Sequence, residues 1–378
     1  MVNLKSRHIC LFLMVLIIVY YAQGVIYPVG TFISRVSLLL LLFVSAIYFV
    51  VFLLSRVYAP SFVKAWTALL IVNSVYFLLE GDLAYVGAFQ SILLNMLPFY
   101  AFYYFSQQGV LSRNHLIVFF VVLLPIVIIR FVTSSIEMQD LINKEEVVDN
   151  TVYLFLGLLP YVFLFRRTSF SIAAILVIWI FLVQSGKRAA FIAGAITMLV
   201  LFYFQFKSMS SQKRQLGKRL FWVVSLVCVI VWGFNRFLEN EFLVHRLQLM
   251  LQGDTAGRDK LYKEVFTTWY ESNSVVQYLF GRGFQTSEKV TSSGSHNDWL
   301  DILASFGLVG FLVYFILFTA GFMQLFEKGW VNYKKAGFVC LILIALLASL
   351  TSRWYWSSFA YSQMLLLPYL LASRNRVD

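Results

Sequence analysis

The chain has 378 residues, 60% of them hydrophobic and 13% charged, with a formal net charge of +12. These values exclude an ordinary soluble domain and indicate an integral membrane protein. The positive balance could suit nucleic acid, but the basic residues are scattered over short loops between apolar runs, so positive-inside bias accounts for them and no nucleic-acid partner is expected.

Apolar runs of roughly twenty residues predict about twelve transmembrane helices in one all-α polytopic domain, 1–378. They fall near 9–27, 33–54, 62–79, 84–105, 115–132, 151–165, 169–185, 188–206, 220–237, 298–326, 336–350 and 359–372. Lys5 and Arg7 before the first run resemble the start of a signal peptide. No small-x-small cleavage site follows, so the run is read as a first span. Cys10, Cys228 and Cys340 lie inside apolar runs without metal-ligand spacing and read as small core residues.

Loop charge sets the expected orientation. With a cytoplasmic N-terminus the inside segments carry Lys5, Arg7, Arg56, Lys64, Arg113, Arg166, Arg167, Lys207, Lys213, Arg214, Lys218, Arg219, Lys328, Lys334, Lys335, Arg374 and Arg376. That is 17 of the 30 basic residues. Of the 18 acids only Glu327 and Asp378 fall inside, and both termini come out cytoplasmic.

Two outer segments stand out. Residues 133–150, with Glu137, Asp140, Glu145, Glu146 and Asp149, read as an acidic solvated loop. Residues 238–297 form the one large outer loop, and long loops in compact proteins tend to carry function. Within it, Glu241 to Gln252 predicts a short helix stopped by Gly253. Gly257 opens a second helix whose Tyr262, Val265, Phe266 and Trp269 make an apolar stripe suited to a membrane surface or to capping the bundle. Arg258 falls on the apolar side, where an arginine either snorkels or meets an anion. Leu279-Phe280-Gly281-Arg282-Gly283-Phe284 predicts a tight glycine-rich turn.

The loop leads into Ser295-His296-Asn297-Asp298-Trp299-Leu300-Asp301, which becomes apolar for the length of a span. Ser295 followed by Asp298 predicts the helix N-terminus, and Asp298 and Asp301 suit its first turn. The pair could also hold a divalent cation, but helix-start chemistry is the simpler account. On helical spacing His296, Leu300, Leu303, Gly307, Gly310 and Tyr314 share one face, and the glycines would let another helix or a lipid chain approach closely. Upstream, Ser185-Gly186-Lys187-Arg188-Ala189-Ala190 places two cations in a loop assigned to the outer side. A small-residue face of Ala189, Ala190, Ala193, Gly194 and Ala195 follows for close packing.

Three of these features together carry a family resemblance. His296-Asn297, nine residues, Gly307, two residues and Gly310 resemble the signature of the bacterial O-antigen ligase and O-antigen polymerase superfamily. Ser185-Gly186-Lys187-Arg188 resembles its Ser-x-x-Arg segment, and the Gly281-Arg282-Gly283 turn fits as well. The superfamily's two arginines and histidine map onto Arg188, Arg258 and His296, all on the outer side. The resemblance implies a C-type glycosyltransferase-like membrane fold. It also implies transfer of a glycan from an undecaprenyl pyrophosphate carrier on the outer face of the cytoplasmic (inner) membrane, inverting and needing no metal or cofactor.

For such a transfer Arg188 and Arg258 are expected on the pyrophosphate and His296 on the acceptor's proton. Arg282, Asn297 and Asp298 are possible acceptor or loop contacts. His-Asn-Asp with a following aromatic and Leu-(Asp/Glu) is similar to capsule and O-antigen polymerases, with a carrier-linked repeat unit as acceptor and a chain-length regulator as possible partner. The alternative is a ligase delivering glycan to lipid A core. A lipid-linked glycan flippase is disfavoured, because the apolar runs hold almost no charge away from their ends.

Overall fold

The computed structural model describes residues 4–26, 31–55, 59–142, 151–185, 187–208, scattered positions between 217 and 248, then 257–292, 294–355 and 359–376. Every regular element among them is helical. The first six are α1 (Leu4–Ile26), α2 (Phe32–Leu54), α3 (Ser61–Glu80), α4 (Val86–Met96), α5 (Pro98–Gln107) and α6 (Arg113–Ile142). Next come α7 (Val152–Leu158), running on as a 3₁₀ turn Leu159–Leu164, α8 (Thr168–Gln184) and α9 (Arg188–Ser208). The helices of the long segment before the next span are α10 (Arg258–Tyr270), α11 (Val275–Phe280) and α12 (Thr286–Thr291). The chain closes with α13 (Asp298–Phe326), α14 (Asn332–Thr351), a π-helical turn Ser362–Leu366 and α15 (Leu367–Ala372).

Seven segments among the described residues are long and apolar enough to cross a membrane: Leu4–Gln23, Phe32–Leu54, Ser61–Glu80, Leu83–Gln107, Arg113–Glu137, Asp298–Phe326 and Asn332–Thr351. Four shorter apolar helices, Val152–Leu164, Ser169–Gln184, Ala189–Phe204 and Ser362–Ala372, fall on four more of the expected runs. The run at 220–237 lies largely outside the described residues, as does the helix expected over Glu241–Gln252. The molecule is a multi-pass helical membrane protein. Large apolar side chains such as Leu39, Phe43, Leu54 and Ile316 stand exposed on the bundle's flanks, as lipid-facing positions must.

One expected loop is partly helix. α6 continues ten residues beyond its apolar run, through Thr133 to Ile142, so the segment expected as a loop from 133 begins as helix. No proline or glycine interrupts 133–142, and a formed helix adds residues cheaply. Glu145, Glu146 and Asp149 lie outside the described residues. Of the cysteines, Cys10 and Cys340 are buried, whereas Cys228 is exposed and is no core residue. The small-residue face of α9 packs as expected. Ala190 and Ala193 are buried, and a Cβ on Gly194 would be 3.6 Å from Trp179 of α8 and closer still to Leu182.

Side-chain chemistry separates the two ends of the bundle. At one end Arg113 Nε donates to Leu164 O at 2.6 Å, and its guanidinium lies 4.3 Å from the Tyr333 ring centroid. There Lys334 Nζ donates to Ser373 O at 2.9 Å and Arg376 O at 2.7 Å, Arg376 reaches Gln107 O, and Arg374 pairs with Glu327. At the other end the C-termini of α3 and α14 meet the N-terminus of α13 and the short helices α10 to α12. That end holds the candidate site.

Candidate functional site

The long segment before α13 is anchored by a break in that helix. Gly307 has φ 64° and ψ −161°, so the helix is two segments, Asp298–Phe306 and Leu308–Phe326. The second segment is about 28 Å long at 1.5 Å per residue, close to the hydrocarbon thickness of a bilayer. The first nine residues, with both aspartates, are therefore a separate segment at the site end. The break frees backbone carbonyls that a continuous helix would satisfy. The glycine-rich turn takes them: Arg282 N–H donates to Ala304 O and Gly283 N–H to Ser305 O, each at 3.1 Å. Thr286 N–H adds a bond to Ser305 Oγ at 3.2 Å.

α3 closes over this junction. Tyr76 O–H donates to Phe280 O, the Tyr76 ring lies 4.8 Å from Phe306, and Phe77 meets Phe284 at 5.5 Å. Lys289 pairs with Glu80. The expected continuous face from His296 to Tyr314 is thus interrupted at Gly307. What approaches that glycine is the backbone at the end of α11, Leu279 and Gly281, so the expected close approach is made by a short helix and the turn that follows it.

The start of α13 also differs from expectation. The N-cap is Asn297, whose side-chain oxygen accepts from Trp299 N–H at 3.0 Å and Leu300 N–H at 3.3 Å, while its Nδ2 donates to Leu350 O. Ser295 sits two residues earlier, where its Oγ donates to Asp301 Oδ1 at 2.6 Å. Asp298 is fully buried, accepting from Tyr314 O–H at 2.9 Å and Trp354 N–H at 2.8 Å. Asn297 and one oxygen of Asp298 thus help fasten α13 to the end of α14. The two carboxylates bind different partners: Asp298 takes Tyr314 and Trp354, and Asp301 takes Ser295.

His296 follows this scaffold. It has φ 54°, in a turn where Ser292 (φ 61°) and Gly294 (φ 73°) are also left-handed. A non-glycine residue there is uncommon and needs surrounding structure to hold it. The imidazole is reached by solvent, yet enough of it is enclosed that its pKa lies below the ordinary histidine value. Desolvation is the largest cause, followed by the positive charges of Arg353, Lys187 and Arg258, with Asp301 opposing them.

These four residues come from four places in the chain. Arg258 is the first residue of α10, half-buried, after Gly257 at φ 79°. On the stripe it heads, Val265 and Trp269 are buried and Trp269 Nε1 donates to Tyr278 O at 3.0 Å, whereas Phe266 is 43% exposed. Lys187 Nζ lies 5.7 Å from the Tyr153 ring centroid, and Arg258 also acts electrostatically on Tyr153. Arg353 follows α14. Arg188 is the first residue of α9; its side chain lies outside the described residues, as does Gly186.

Arg282 turns elsewhere. Its side chain lines a groove of about 480 Å³ with Lys260, Lys263, Glu264, Thr267, Thr268 and Glu271, and its Nη2 reaches Glu271 O at 3.4 Å. Sequence reasoning missed Arg353, and it noted Lys187 only as a neighbour of Arg188. A signal for both existed: each is a cation in a short segment that the charge bias assigns to the outer side, where cations are disfavoured.

Residues 172–315 match a family model described as O-antigen ligase. The match covers less than half of the chain, from within α8 into α13, and includes Arg188, Arg258 and His296. It bears out the resemblance to the O-antigen ligase and polymerase superfamily. No curated protein matches the chain.

Proposed function

We propose that the protein transfers glycan from a polyprenyl (undecaprenyl) pyrophosphate carrier, polymerising repeat units at the outer face of the bacterial inner membrane. The observation that carries this reading is the gathering of Lys187, Arg258 and Arg353 around His296 at one end of the bundle. A cationic, partly buried cluster suits a diphosphate whose negative charge grows as it leaves. An accessible imidazole whose pKa is lowered by burial, and further by those cations, suits removal of a proton from an incoming hydroxyl.

In the proposed step the acceptor hydroxyl oxygen attacks the anomeric carbon from the side opposite the carrier. The bond from that carbon to the pyrophosphate oxygen breaks, and its electron pair leaves with the diphosphate. Arg258 and Arg188 hold the diphosphate oxygens, His296 takes the hydroxyl proton, and the anomeric centre inverts.

The sidedness belongs to the same proposal. Arg113, Lys334, Arg374 and Arg376 gather at the end opposite His296. In this reading positive-inside bias favours that end, with both termini, as the cytoplasmic one, with twelve spans and an outer loop over 238–297. The acceptor in this reading is a second carrier-linked repeat unit, with a chain-length regulator as partner. A second reading, delivery to lipid A core, is favoured by the description of the matched family. Membranes carrying the protein, supplied with carrier-linked repeat units and separately with lipid A core, distinguish them. Growth of carrier-linked glycan supports the polymerase, transfer to core supports the ligase, and neither product sinks both.

A further inference from the structure

Arg353 lies outside the matched segment and outside every expected site position, yet it meets the histidine turn from several directions. Its Nη1 bonds Glu288 Oε1 of α12 at 2.5 Å, and its Nε lies 3.4 Å from Asp301 Oδ2 of α13. The other oxygen of that carboxylate, Asp301 Oδ1, accepts from Ser295 Oγ at 2.6 Å and Ser295 N–H at 3.2 Å. One carboxylate therefore joins Arg353 to the residue before His296. The guanidinium also fills the space beside Gly294, where a Cβ would overlap Nη2. Arg353 is itself held, because Trp354 N–H donates to Asp298 and Asn297 reaches back to Leu350.

We propose that Arg353 is the positioning residue of the histidine turn, clamping it to Asp301 and Glu288 and presenting a cation to the imidazole. The geometry explains how three left-handed residues persist in five positions, since the turn is fixed from α12, α13 and the end of α14 together. The groups that face His296 are Arg353 after α14, Lys187 before α9, Arg258 on α10 and Asp301 on α13, with Glu288 of α12 acting through Arg353. Removing the Arg353 charge leaves Asp301 and Glu288 without it, so both changes favour the protonated imidazole. The inference rests on the reading of His296 as proton acceptor.

The test follows the charge state of His296 directly. Purified full-length protein is treated with diethyl pyrocarbonate, which modifies neutral imidazole, across a pH series, and modification of His296 is read by peptide mass spectrometry. R353M should move the midpoint to higher pH, whereas R353K should keep the wild-type midpoint. E288Q, which leaves Arg353 less neutralised, should move it to lower pH, and it carries the test if R353M does not accumulate. An R353M midpoint equal to wild type, or an R353K midpoint displaced as far as that of R353M, overturns the proposal, as does an E288Q midpoint that moves upward. Labelling needs no turnover, so it is independent of the proposed activity. If the midpoints shift as expected while glycan transfer keeps its pH profile, the clamp stands and the proton-acceptor reading fails.

Discussion

Gly281 and Gly307 lie backbone against backbone. A Cβ on Gly307 would come within 2.5 Å of Gly281 N and of Leu279 C and O, and one on Gly281 would overlap the Ser305 peptide. Both are in left-handed conformations, φ 77° and φ 64°. This contact couples the segment after α11 to the broken helix.

Either glycine should therefore be intolerant of alanine. Gly281→Ala or Gly307→Ala adds left-handed strain of about 1–3 kcal/mol and forces apart two backbones that share hydrogen bonds. Both should lower the unfolding temperature of detergent-purified protein. Gly87→Ala, in α4 with open space around it, should leave it unchanged. Equal stability of all three variants would mean that the interlock contributes nothing.

The arginines are expected to act through their shape as well as their charge. Arg258→Ala and Arg188→Ala should each abolish long-chain glycan while protein stays in the membrane. Lysine keeps the charge but loses the planar fork, so Arg→Lys should rescue only partly. The measurement is glycan length on gels beside immunoblots of membranes. Wild-type ladders from both lysine variants would reduce their role to simple electrostatics.

His296→Ala should lower turnover by roughly 10²–10⁴-fold with donor binding retained, because the cations still hold the diphosphate. A base works in its neutral form, so activity should fall as pH drops through the histidine's pKa. Burial and the cations Arg353, Lys187 and Arg258 lower that pKa, so the acidic limb should lie below the range of an ordinary histidine. Loss of donor binding in His296→Ala as severe as in Arg258→Ala would move the histidine into the phosphate site. A limb above the ordinary range would contradict the electrostatics.

Sidedness can be read with single cysteines in a background lacking Cys10, Cys228 and Cys340. Asn273, exposed between α10 and α11, and Lys328, exposed between α13 and α14, are accessible probes. Ser287 and Lys334 are buried and unsuitable. A cysteine at position 273 should react with an impermeant thiol reagent in intact cells and one at 328 should resist it. The reverse pattern would turn the site to the cytoplasm.

The membrane class, the positions of eleven apolar helices, the outer-loop helix after Gly257 and the superfamily resemblance were all legible in the sequence. Hydropathy, helix starts and motif spacing are local properties, each contained within a window of one element. The break at Gly307 was not legible, because a glycine in an apolar run reads equally well as a packing face. Only the arrival of the Gly281-Arg282-Gly283 turn at its freed carbonyls decides otherwise. Asn297 took the cap from Ser295 because Ser295 is bound to Asp301, and Asp298 was withdrawn from solvent by Trp354, 56 residues away. Arg353 meets Glu288 across 65 residues. A charge acts through space rather than along the chain, so the cations around His296 became neighbours only when α9, α10, α13 and α14 came together at one end of the bundle.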